Sequence, residues 1–177
     1  MNVILDLCGG TGAWSRPYQE AGYNVVVIDP AAGTGDVCFY SYQSYRVHGI
    51  LAAPPCTVFS YARNRYPPSQ EEIRSALEVV GACLRIITAQ KPQWWALENP
   101  INKLRRYLGP PRLVFRQWEY GDAGHKPTGI WGNFTEPKKR PTPRTKPSTF
   151  RSSQENARPE DAITPAGFAR AFFEANP

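Results

Sequence analysis

The sequence predicts an α/β fold built on a doubly wound sheet, and three observations predict it. Residues 3–28 read as apolar run, glycine turn, helix and second apolar run, the pattern of a βαβ unit. Two later apolar runs, each ending in a loop with polar residues, continue the strand series. Between them lies a segment with apolar residues at three- and four-residue intervals, the signature of an amphipathic helix.

Taken in order, Val3-Ile4-Leu5 supplies the first strand and Gly9-Gly10-Thr11-Gly12 turns the chain. Val25-Val26-Val27-Ile28 is a continuous β-branched run that fits a strand buried on both faces, reached by a right-handed crossover. Ile50-Leu51-Ala52-Ala53 is a further strand stopped by Pro54-Pro55, so that Cys56 sits just past its carboxyl end. Ser69-Gln70-Glu71-Glu72 has the spacing of a capping box and precedes Ile73, Leu77, Val80, Leu84 and Ile87. That helix should stop near Lys91-Pro92, ahead of a strand Trp94-Trp95-Ala96-Leu97 that carries Glu98-Asn99-Pro100 at its end; another helix is expected from about Asn102. Leu113-Val114-Phe115 through Tyr120 and Gly129-Ile130-Trp131 read as two late strands, a hairpin around Gly121-Asp122-Ala123-Gly124. Residues 136–158, with seven Lys/Arg, two Glu and four prolines, read as an irregular basic arm. A last helix over about 165–175 puts Phe168, Ala171, Phe172 and Ala175 on one face with Pro165 at its first position. It should pack beside the first strand, either helping to wall a ligand site or as a plain cap on the core.

The 177 residues fit one domain spanning 1–177, with 41% hydrophobic and 20% charged residues arguing against disorder of the whole chain. A net charge of +6 and a pI near 9.3 favour a polyanionic partner. With no leader-like segment and no run of ~20 apolar residues, a cytoplasmic protein without a membrane partner is expected. The four cysteines form no Cys-x-x-Cys pair, so neither a disulfide framework nor a metal site is expected.

Chemistry gathers at three places. Asp6-Leu7-Cys8-Gly9-Gly10-Thr11-Gly12 lies between a strand and a helix, where small residues let a ligand approach the backbone, although a bare tight turn reads equally well from the glycines alone. Asp29, at the end of the second strand, could receive ribose hydroxyls, and the two together favour an adenosine-containing ligand. Cys8 and Cys83 read as small buried hydrophobes. Cys56 differs, lying in a loop at a strand end with Arg63 and Arg65 close enough in sequence to favour its thiolate if they face it. Glu98 ends a very apolar strand and reads either as a surface carboxylate or helix cap, or as a carboxyl with a raised pKa able to hold or deliver a proton. The loop Tyr61-Ala62-Arg63-Asn64-Arg65-Tyr66 combines cations and rings, either to close over nucleic acid or as an ordinary solvated loop.

Over residues 2–134 this series resembles the DNA cytosine-5 methyltransferases, in a short, phage-like form. The resemblance implies a Rossmann-like sheet of the class I S-adenosylmethionine-dependent methyltransferase type. It implies that Asp6, Cys8, Gly10, Thr11 and Gly12 hold S-adenosyl-L-methionine, with Asp29 and Pro30 at the ribose, Asp36 and Val37 at the adenine, and Pro54 alongside. It makes Cys56 the nucleophile and Glu98 its acid partner in methylating carbon 5 of a flipped-out cytosine in DNA. Pro55, Ser60, Arg63, Arg65, Asn99, Lys126 and Thr128 would contact the substrate. The implied protein is a monomer that needs no metal.

The sequence departs from that family at several points. Cys8, Thr57 and Pro100 stand where the family usually has Phe, Gln and Val. The family's Gln-x-Arg-x-Arg strand is missing; Lys126-Pro127-Thr128 and Trp131-Gly132 occupy its place, with Lys126 either a substitute for the base-holding arginine or a solvated lysine. Only residues 135–163 stand where the family inserts a target-recognition domain, so little or very short sequence preference is expected, with Lys138, Lys139, Arg140, Arg144 and Lys146 gripping phosphates. Such an enzyme would suit a bacteriophage modifying its own genome in the host cytoplasm. Alternatives are the same chemistry on RNA or a free cytosine nucleotide, an altered sulfonium donor, methylation of an exocyclic amine, and a non-catalytic nucleic-acid-binding relative.

Overall fold

The computed structural model describes residues 2–122, 124, 126–142 and 163–177. Six strands form one sheet: β1 (Val3–Leu7), β2 (Asn24–Ile28), β3 (Val47–Ala52), β4 (Trp94–Pro100), β5 (Leu113–Arg116) and β6 (Pro127–Asn133). Their spatial order is β2-β1-β3-β4-β6-β5. The first four are parallel, and β6 runs antiparallel between β4 and β5.

Among the described residues four α-helices accompany the sheet: α1 (Arg16–Glu20), α2 (Gln70–Gln90), α3 (Arg105–Leu108) and α4 (Ala166–Ala175). The two sheet faces sort the core by the alternation of strand side chains. Val3, Leu5, Leu7, Ile50 and Leu97 pack with Val80, Cys83, Ile86 and Ile87 of α2. Ile4, Leu51, Ala96 and Ile130 pack with Trp14, Tyr18 of α1, and Phe168 and Phe172 of α4. The sheet is thus covered on both faces, as doubly wound sheets require. Close packing is visible at Gly49, where a Cβ would lie 2.1 Å from the Trp94 ring.

The chain leaves β1 toward β2 on one side and returns to β3 on the other, so β1 and β3 flank the switch point where open sheets bind ligands. The glycine turn follows β1 and the Pro-Pro-Cys turn follows β3, which puts both at that crevice.

The capping box and the stop of α2 fall where the sequence predicts: Ser69 Oγ accepts from Glu72 N at 3.1 Å, Glu72 Oε2 accepts from Ser69 N at 2.7 Å, and Lys91 ends the helix in a left-handed conformation. Three expectations are corrected. The strand expected to run to Tyr120 ends at Arg116, because the Glu119 carboxylate receives Arg116 N at 2.6 Å and winds Gln117–Tyr120 into a 3-10 turn, with Tyr120 edge-on to Phe115 in the core. The helix expected from Asn102 begins only at Arg105, since Lys103 N is drawn off to Phe59 O at 3.0 Å. Pro165 precedes α4 instead of opening it, and Asp122 Oδ2 accepts from Gly167 N at 3.0 Å. Of the basic arm, residues 143–158 lie outside the described residues.

Candidate functional site

The glycine turn is built around a buried carboxyl. Cys8, Gly10 and Gly12 all have positive φ (56°, 51° and 67°), and a Cβ on Gly9 would lie 2.4 Å from Asp6 Cγ. Asp6 is fully buried; Ser15 Oγ donates to its Oδ2 at 2.5 Å, while Oδ1 has no partner among the described residues. Burial raises its pKa to about 6 against the pull of the Ser15 hydrogen bond, with Asp29 adding to the rise. Above Gly10 an added Cβ would meet nothing within 4 Å, so the turn is open there, and Thr11 is exposed.

Asp29 joins the ends of β1 and β2. Its Oδ2 accepts from Gly10 N at 2.9 Å and its Oδ1 from Ala31 N at 2.7 Å, capping the 3-10 turn Pro30–Ala32, whose first residue Pro30 is exposed. Asp36 Oδ1 accepts from Cys38 N at 2.8 Å. Val37 is 1% exposed and belongs to the core under α2, where Arg85 Nη2 donates to its carbonyl at 3.0 Å. A groove of about 310 Å³ runs beside Gly10, Thr11, Gly12 and Ser15 along Val25 and Val27 of β2.

The second half of the site lies at the carboxyl ends of β3 and β4. Ala53 N donates to Leu7 O at 2.9 Å, holding this loop to the end of β1. Pro54 is buried, Pro55 exposed, and Phe59 N donates to Cys56 O at 3.1 Å in a turn that leaves Cys56 and Ser60 half-buried and Phe59 fully buried. Asn99 is fully buried and its Nδ2 donates to Pro54 O at 3.0 Å. Expected at the substrate, it therefore ties β4 to the backbone of the cysteine loop.

Glu98 is half-buried, and burial raises its pKa while Lys126, just before β6, lowers it. Burial and Glu98 raise the Cys56 thiol, and Lys126 lowers it. The structure thus brings Cys56, Glu98 and Lys126 into one electrostatic group. A pocket at Glu98 and Lys126 is completed by Thr128 of β6, Phe115 of β5, Gln117 after β5, and Thr164 before α4. The lead-in to α4 therefore walls the Glu98 side of the site, and α4 itself packs on Trp14.

Two predicted cations serve elsewhere. Arg63 pairs with Glu72 at 2.9 Å and donates to Tyr66 O at 3.0 Å, and Arg65 lies over the Tyr66 ring at 5.6 Å. The cation that acts on Cys56 is Lys126, so the expectation that Arg63 and Arg65 supply the thiolate's partner is corrected: the Glu72 carboxylate of the helix cap captures Arg63. Sequence reasoning missed Ser15, whose only signal was a hydroxyl nine residues after Asp6, and Gln117, which looked like strand. Cys8 and Cys83 hydrogen-bond each other, which with burial pushes the Cys83 thiol far up and keeps it inert. Among the described residues no group of three or more His, Cys, Asp or Glu is placed to hold a metal ion, and no helix is long and apolar enough to cross a membrane.

No protein family matches the sequence, and no curated protein does. Among solved structures the chain is similar to a protein encoded within an E. coli prophage and provisionally described as a DNA modification methyltransferase. The TM-score is 0.53 at 14% identity, over 75% of this chain and 47% of that one. The chain thus shares the fold of that protein while spanning about half of its length.

Proposed function

We propose that the protein methylates carbon 5 of cytosine in DNA, using S-adenosylmethionine as donor and Cys56 as a transient covalent nucleophile. The observation that carries the reading is the grouping of Cys56, Glu98 and Lys126 at the strand ends beside the switch point that also holds the glycine turn. The fold shared with a prophage protein described as a DNA modification methyltransferase, and the basic charge of the chain, support the same acceptor.

The residues present fit an adenosine-containing donor. The turn at Gly10 is open, the Asp29 carboxylate is fixed by Gly10 N and Ala31 N with lone pairs left for hydroxyls, and Asp6 Oδ1 is a buried acceptor without a donor among the described residues. Asp29 and Pro30 would hold the ribose, Asp36 and Val37 the adenine, and Asp6 to Gly12 with Pro54 the remainder. The donor supplies an electrophilic methyl group on a sulfonium.

The chain's own residues account for the rest. Carbon 5 of cytosine is a weak nucleophile, and it gains electron density when the Cys56 thiolate adds to carbon 6 as the Glu98 carboxyl gives a proton to ring nitrogen 3. Burial raises the pKa of Glu98, which favours the protonated form that this step needs. Lys126 favours the thiolate. After methylation, loss of the carbon 5 proton to a base, with water as a candidate, expels Cys56 Sγ and the Glu98 proton is returned. Flipping the base out of a duplex costs a few kcal/mol, which phosphate contacts offset.

The test is incubation with tritiated S-adenosylmethionine and DNA, followed by nucleoside analysis. 5-Methylcytosine is the expected product. Label in an exocyclic N-methyl base, or none in DNA, would refute the reading.

A further inference from the structure

The segment joining β4 to α3 carries a surface that the chemistry above does not use. Residues 101–107 contain Lys103, Arg105 and Arg106 and no acid. Leu104 is fully buried in the core layer of α2 and anchors them. Tyr107 N and Leu108 N both donate to Leu104 O, at 2.9 and 3.1 Å, and Lys103 N donates to Phe59 O. The Tyr107 ring meets the Phe59 ring edge-on at 6.2 Å. Phe59 N in turn is held by Cys56 O, so this segment is fastened to the turn that carries the nucleophile. With Leu104 directed inward, Arg105 and Arg106 are exposed beside a Tyr107 that is 49% exposed.

These two arginines are adjacent in the chain and both exposed. Arg63, Arg74, Arg112, Lys139, Arg140 and Arg170 each face a carboxylate. Among the described residues Arg105 and Arg106 have no ion pair, and they follow the carboxyl end of β4, where Glu98 lies. Two neighbouring guanidiniums repel each other and gain from a shared polyanion, and their planar forks match phosphate oxygens. An exposed ring next to them offers a face on which a base or sugar can rest.

We propose that Arg105 and Arg106, flanked by Tyr107, form a seat for the phosphodiester backbone of DNA beside the nucleotide presented to Cys56. This rests on the nucleic-acid reading above but concerns binding alone. Because the seat and the nucleophile's turn share backbone hydrogen bonds, phosphate contacts at the seat set the position of the strand relative to Cys56 without reading its bases.

The test is a fluorescence-anisotropy titration, over a range of salt, of a short labelled duplex and of its single strand. It compares wild type, the double variant Arg105→Gln/Arg106→Gln, and the double variant Arg46→Gln/Lys91→Gln. Arg46 and Lys91 are exposed at the opposite, amino edge of the sheet, before β3 and β4, so both doubles lose the same charge. For Arg105→Gln/Arg106→Gln the slope of log affinity against log salt should fall by about 2 and the affinity at low salt by roughly tenfold or more, with the amino-edge double within about twofold of wild type. Arg105→Lys/Arg106→Lys should restore most of the slope, which separates charge from misfolding. Equal weakening in the two Gln doubles, unchanged binding in the first, or no DNA binding by wild type overturns the seat. The titration needs neither donor nor turnover, so failure of methylation leaves the seat standing; equal weakening in the two Gln doubles or unchanged binding in the first sinks the seat alone, whereas no DNA binding by wild type sinks both.

Discussion

Cys56 is drawn in opposite directions by its neighbours: Lys126 favours the thiolate, while burial and the Glu98 carboxylate oppose it. Lys126→Met should therefore raise, and Glu98→Gln lower, the pH at which iodoacetamide alkylates Cys56, read by mass spectrometry on the Cys56 peptide. Shifts in the same direction would exclude a shared field. Asp6 gives a second prediction. Its folded-state pKa of about 6 lies above the ordinary 3.8, so its contribution to stability is fully present below 3.8 and is lost as pH rises through 6. The charged form is the one Ser15 Oγ relieves, so Ser15→Ala should cost about 1–3 kcal/mol well above pH 6 and less at pH below 4, measured by urea unfolding at both. An equal loss at both would refute the assignment. The positions of Asp6, Asp29, Cys56 and Glu98 were legible in sequence because each lies at or shortly past the end of an apolar run. The partners of Lys126 and Arg63 were not, because which carboxylate a long cation reaches depends on elements far apart in the chain.

At the scale of elements, the loops are held by few bonds, and each can be cut. Ser69→Ala removes one half of the capping box of α2 and should cost about 1 kcal/mol in denaturant unfolding. Asn99→Ala removes the bond from β4 to Pro54 O. We expect it to slow adduct formation at Cys56 by about tenfold or more while leaving the alkylation pH of the thiol unchanged, since geometry and not charge is altered. A shifted alkylation pH would show instead that Asn99 acts on the thiol electrostatically. The strands and α2 were legible from apolar period and capping residues. The 3-10 turn Gln117–Tyr120 was not, because its cause is one side chain, Glu119, bending back on Arg116 N.

For the whole molecule, the strand order β2-β1-β3-β4-β6-β5 puts the glycine turn and the cysteine loop on either side of one crevice. The parallel βαβ beginning was legible locally, whereas the insertion of β6 between β4 and β5 rests on pairings such as Asn99 with Gly129 that no local pattern encodes. The chain spans about half of the length of the prophage protein whose fold it shares. With only residues 135–163 where a recognition domain would stand, sequencing of methylated DNA should yield a preference limited to one or two neighbouring bases; a long consensus would contradict phosphate-led binding. The most direct test of the central claim is incubation with S-adenosylmethionine and DNA containing 5-fluorocytosine, whose fluorine blocks the elimination that frees the enzyme. Wild type should form a denaturation-resistant complex with its mass at the Cys56 peptide, and Cys56→Ala none; no complex with wild type, or one that persists in Cys56→Ala, would contradict the account.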